Sequence, residues 1–112
     1  MSGVEFKNRR RNFRIGYTRD DRPRFACGDD LFEVLDISET GIRFLRHYLF
    51  TLKPGEPMAG VLKFPDGRTF PIEGLVSRVT FSPMVCALSL VVRVPLTLMM
   101  EEQRKVLLRG RG

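Results

Sequence analysis

An all-β domain with one terminal helix is the fold class this sequence predicts, and three observations predict it. Short runs of alternating or β-branched residues recur between Phe13 and Val92. Turn signals such as Gly28-Asp29-Asp30, Pro65-Asp66-Gly67 and Ser82-Pro83 separate them at short intervals. A helical spacing appears only after Pro95. With 112 residues, 43% of them apolar, the chain suits one domain around one core. Six or so antiparallel strands at this length suggest a small closed or nearly closed barrel, because closure removes exposed strand edges. The helix is then expected to cover a barrel mouth or side.

The elements follow in order. Phe13 to Tyr17 alternates and reads as a first strand, and Thr18 to Pro23 as a charged turn. Arg24 to Cys27 is a short second strand. Leu31 to Ile37 and Ile42 to Arg46 form a hairpin about the break Ser38-Glu39-Thr40-Gly41. His47 to Pro57 is a loop. Met58 to Phe64 and Arg68 to Phe81 form a second hairpin, with Gly74 marking a bulge or a close backbone approach. Met84 to Val92 is very apolar and therefore central. Thr97 to Arg109 is a helix ended by Gly110, with Leu96, Met99, Met100, Val106 and Leu107 near one face. Val34, Ile42, Phe44, Val61, Val76, Leu88 and Leu90 are the expected core.

Several classes of function are disfavoured. No apolar run is long enough to span a bilayer, and the N-terminus lacks a secretory core. Cys27 and Cys86 carry no metal-ligand spacing and read as two reduced thiols of a cytoplasmic protein. His47 is the only histidine, and no serine stands in a nucleophile-elbow setting, so no enzyme and no metal site is expected.

The charge is concentrated. Residues 1–24 hold eight basic and three acidic side chains, a balance of +5, and the other 88 hold eleven and ten, a balance of +1. Within the first segment, Arg9, Arg10, Arg11 and Arg14 crowd around Phe13. Guanidinium groups stay charged, fit phosphate and the acceptor edge of guanine, and stack on flat rings. Four of them this close call for an anionic partner. A nearly neutral body with one basic arm favours a small anion over a long polyanion.

The second unusual stretch is Asp36-Ile-Ser-Glu-Thr-Gly41. Asp36 and Ser38 are two apart on a strand, so their side chains share a face. Gly41 permits a positive φ at the corner and close approach of a ligand or another chain. A carboxylate accepts from the N–H donors of guanine. A hairpin corner whose Asp and Ser only cap turn amides is the competing reading.

Together the motifs resemble the PilZ domain family, bacterial receptors for the second messenger cyclic di-GMP. Arg10-Arg-Asn-Phe-Arg14 has the Arg-x-x-x-Arg form ahead of the first strand, and Asp36-x-Ser38-x-x-Gly41 follows on the first long hairpin. Ile72 to Arg78 as a middle strand and Pro95 to Leu108 as a closing helix also look familial. The resemblance implies a six-stranded antiparallel β-barrel with a C-terminal α-helix over 13–109, preceded by a flexible basic arm over 1–12. It implies that Arg10 and Arg14 grip phosphates and guanine edges, with Arg9 and Arg11 assisting. Asp36 and Ser38 would hold a guanine, and Gly41 would keep the corner open. Arg78 projects from the long strand and is a further candidate contact. The implied function is a cytoplasmic, non-enzymatic receptor with no cofactor, whose arm orders on the nucleotide and signals to a protein partner. Two other readings are a small basic barrel that binds RNA or DNA, and a PilZ-like scaffold that acts through protein contacts alone.

Overall fold

The structure, a computed structural model, describes residues 14–111, with side chains through Leu108. Arg9, Arg10 and Arg11, and the whole segment 1–12, lie outside the described residues. Seven strands and one helix make up the rest: β1 (Arg14–Gly16), β2 (Arg24–Cys27), β3 (Asp30–Ser38), β4 (Gly41–Leu45), β5 (Pro57–Lys63), β6 (Thr69–Val79), β7 (Val85–Leu90) and α1 (Leu96–Arg111). A single 3₁₀ turn, Arg19–Asp21, joins β1 to β2.

Strands β2 to β7 close into a six-stranded antiparallel barrel in the order β3-β2-β5-β6-β7-β4, with β4 returning to β3. The expected barrel and closing helix are therefore present. The expected first strand stands outside the barrel. Strand β3 is nine residues long, and its edge serves β2 from Asp30 to Glu33 and then β1 from Asp36 to Ser38.

The core is aromatic at its centre. Phe44 stacks against Phe25 and Phe32 with ring centroids 5.3 and 4.8 Å apart, close enough for tilted aromatic pairs to add to burial. Val34, Ile37, Ile42, Leu62, Val76 and Leu88 complete it, all at most 2% exposed. Five of the seven expected core residues are buried, and Val61 and Leu90 are only half-buried. On β5 the inward residues are Met58 and Leu62, with Gly60 between them, and alternation turns Val61 outward. Gly74 is a close approach: a Cβ there would lie 2.3 Å from the Ser89 carbonyl oxygen. The bulge falls further along β6, where the register with β7 shifts between Val76 and Arg78.

Helix α1 runs past Gly110 to Arg111 and lies against β1 and the β5–β6 hairpin. Met99 is buried and Leu98 and Val106 are half-buried, but Met100 and Leu107 face solvent, contrary to expectation. Charge fastens the helix as well. Glu102, buried, accepts from the Tyr17 hydroxyl at 2.8 Å and from Arg68, which also reaches Glu101 at 3.0 Å. Lys105 pairs with Asp66. Burial and the Glu102 hydrogen bond push the Tyr17 hydroxyl well above its ordinary pKa. Among the described residues, no helix is long and apolar enough to cross a membrane.

Candidate ligand-binding face

A bulge creates the site. On β3, Phe32 and Val34 point into the barrel, and the next inward residue is Ile37. The register with β4 shifts between Val34 and Asp36, so the alternation slips by one at Leu35. Asp36 and Ser38 are thereby turned to the outer face together, as their spacing predicts.

Asp36 is nonetheless almost covered, with a side chain 6% exposed. Its lids are two arginines. Arg14 Nη1, from β1, donates to Oδ1 at 2.6 Å, and Arg43, from β4, donates to Oδ2 through Nε at 2.8 Å and Nη2 at 2.5 Å. These charge-assisted bonds are of the strong kind. Bonding to Asp36 raises the Arg43 pKa further, against a smaller opposing effect of burial. Both guanidinium groups remain about half exposed, so their other donors face solvent.

Ser38 behaves here as a corner residue. Its hydroxyl donates to the Gly41 carbonyl and accepts from the Thr40 N–H, both at 3.3 Å. Gly41 is not in the positive-φ region expected of it; the described glycines that are there are Gly28, Gly55 and Gly67. It is small for another reason. A Cβ would come within 2.9 Å of the Leu88 carbonyl oxygen, so the backbone that approaches closely is that of β7.

The cross-strand registers assemble these residues into a row. Gly16 pairs with Asp36, Asp36 with Arg43, Arg43 with Ala87, and Ala87 with Arg78, across β1, β3, β4, β7 and β6. Arg43 and Arg78 thus stand two strands apart, roughly 10 Å at ordinary strand spacing. Between them lies a groove of about 460 Å³, floored by Ala87 and walled by Ser77, Thr80, Pro83 and Val85. That volume falls in the range of small-molecule sites.

Of the expected site residues, the structure brings Arg14, Asp36, Ser38 and Gly41 together and sets Arg78 at the far side of the groove. Arg43 was not anticipated. The hairpin is visible in the sequence, but pairing Asp36 with Arg43 requires the bulge at Leu35, for which no local residue signals.

No protein-family model matches the sequence, and no curated protein does. A solved structure does match: that of Bacillus subtilis Inhibitor of motility (MotI/DgrA), with a TM-score of 0.59 at 15% identity. The match covers 88% of this chain and 48% of that one, so the chain spans about half the length of the protein it resembles. A likeness at this identity shows the fold. The fold is of PilZ type. A closed six-stranded barrel, one strand outside it and a single C-terminal helix are its marks, and all are present. The hairpin that bears Asp36, Ser38 and Gly41 is β3–β4, and the strand that delivers Arg14 to it is β1.

Proposed function

We propose that this chain is a receptor for cyclic di-GMP, which binds on the outer face of the barrel along the row from Asp36 to Arg78. The observation that carries the reading is the Asp36 carboxylate. It is covered and held by two half-exposed arginines, and one of them, Arg43, lines a groove with a further arginine, Arg78, on its other side.

The clamp suits exchange. In the free protein Asp36 spends both oxygens on Arg14 and Arg43. The N1–H and N2–H₂ donors of a guanine offer the same kind of bond to the same carboxylate. A guanine that replaces one arginine frees that guanidinium for a phosphate of the ligand, so no charge is left unpaired. Arg10, with Arg9 and Arg11, closes from the N-terminal side and supplies stacking as well as charge. A ligand with two phosphates and two guanines matches a face with cations at both ends of the groove.

Ordering of the arginine arm over the nucleotide presents a new surface to a protein partner. The matched B. subtilis protein is named an inhibitor of motility, a regulatory role of the kind proposed here. The test is discrimination. Asp36→Ala is expected to weaken cyclic di-GMP binding and to narrow its margin over cyclic di-AMP, because adenine lacks the paired donors. An unchanged margin would return Asp36 to a purely structural role.

A further inference from the structure

Four residues of α1, Leu96, Met100, Gln103 and Leu107, recur at intervals of four, three and four. That is the a/d spacing of a two-helix seam. The stripe faces away from the barrel: Met100 is 59% and Leu107 61% exposed, while Met99 and Glu102 are buried against it. Met100, Gln103, Arg104 and Leu107 stand at i, i+3, i+4 and i+7 and border, with Leu108, a hollow of about 360 Å³. Four residues at those offsets form the hole that takes a side-chain knob from a facing helix.

We propose that this face is a homodimer interface, in which α1 of two copies pairs antiparallel and Met100 of each copy enters the hollow of the other. With Leu96 set opposite Leu107 and Met100 opposite Gln103, the contact is its own mirror under a two-fold axis between Glu101 and Glu102. Knob and hole are then filled reciprocally, as an isologous interface requires. A partner of unrelated sequence has no reason to match a surface that already matches itself.

The helix dipoles select the orientation: a parallel pair aligns them and an antiparallel pair opposes them. Glu101 and Glu102, which flank the axis, each already accept from Arg68 of their own chain, so they set no unpaired like charges against each other. A lipid surface is a poorer occupant. Gln103 sits in the middle of the stripe and Arg104 beside it, and acyl chains offer neither a hydrogen bond. Near a two-fold axis, Gln103 amides of the two copies lie within reach of each other.

The area sets the strength. Leu96, Met100, Leu107 and Leu108 leave on the order of 450 Å² exposed, comparable with the largest apolar patch of a typical monomer. Two such faces with their polar rims come to about 1,000 Å², the low end for a specific interface. The dimer is therefore a weak, reversible one.

Sedimentation equilibrium of the full chain without nucleotide tests this independently of the ligand reading. A monomer–dimer equilibrium is expected, weakened roughly tenfold or more by Met100→Glu and by Leu107→Glu, with unchanged urea midpoints because both side chains are exposed. Mixed Met100→Cys and Gln103→Cys chains should cross-link on mild oxidation beyond the parent, and Leu107→Cys alone should not. A parent that stays monomeric to millimolar concentration, or a dimer that both glutamates leave intact, overturns the proposal. Self-cross-linking of Leu107→Cys overturns the antiparallel arrangement. A monomeric parent that binds phosphatidylglycerol vesicles, with binding lost in Met100→Glu, assigns the face to lipid instead.

Discussion

Removing the anion at the centre of the clamp should cost less stability than removing its two cations. Asp36→Ala deletes three charge-assisted hydrogen bonds, each worth about 1.5–3 kcal/mol. It also relieves the desolvation of a carboxylate that is 6% exposed, a penalty of several kcal/mol for a buried ion. Arg14 and Arg43 are 42% and 51% exposed and can turn into water, so no buried charge is left behind. The net loss comes to about 1–3 kcal/mol. Arg14→Met with Arg43→Met keeps two long side chains over the carboxylate but leaves it unpaired, and breaking a buried pair in that way costs about 3–5 kcal/mol. Urea unfolding at neutral pH, followed by circular dichroism, measures both. If Asp36→Ala is destabilised as much as the double arginine variant, the asymmetry of exposure is not what governs the clamp.

Two further predictions concern the barrel. Leu88, 1% exposed between Ile42 and Val76, should lose about 2–5 kcal/mol on truncation to Ala, and a chemical-denaturation loss below about 1 kcal/mol would mean that the β7 core face is misassigned. Stability should fall in alkali because burial pushes the Cys86 thiol from 9.0 up to about 11. A raised folded pKa gives stability that is complete below the unfolded value and is lost as pH rises through the folded one, here from pH 9.0 to about 11. The urea midpoint of Cys86→Ala should decline less over that window than the parent's. Parallel declines would remove Cys86 as a cause.

The parts of the fold that were legible in the sequence are those written in local periodicity. Leu31 to Ile37 and Ile42 to Arg46 alternate about a Gly-containing break, and they form the β3–β4 hairpin. What was hidden depends on events between strands. Val61 and Leu62 are equally apolar neighbours, and only the inward phase of Met58 decides that Leu62 is the core residue. Gly41 looks like a turn glycine, yet its constraint comes from β7, far away in sequence. Met100 and Met99 are adjacent on one apolar helix, and the packing of β1 and the β5–β6 hairpin through Tyr17 and Arg68 chooses which one is buried. Arg43 was missed for the same reason: the bulge at Leu35 sets its register with Asp36. The candidate site was legible as two motifs, but the cation that completes the clamp and the groove beside it belong to tertiary structure.

Titration calorimetry of the parent chain with cyclic di-GMP, beside GMP and a short single-stranded oligonucleotide, tests the central claim most directly. Saturable binding of cyclic di-GMP at micromolar concentration or tighter, about −8 kcal/mol or better, is predicted, with GMP much weaker because it spans only one end of the row. The affinity should fall as salt rises, since the contacts are largely ionic. Silence with cyclic di-GMP, or an oligonucleotide that binds more tightly, would contradict the account.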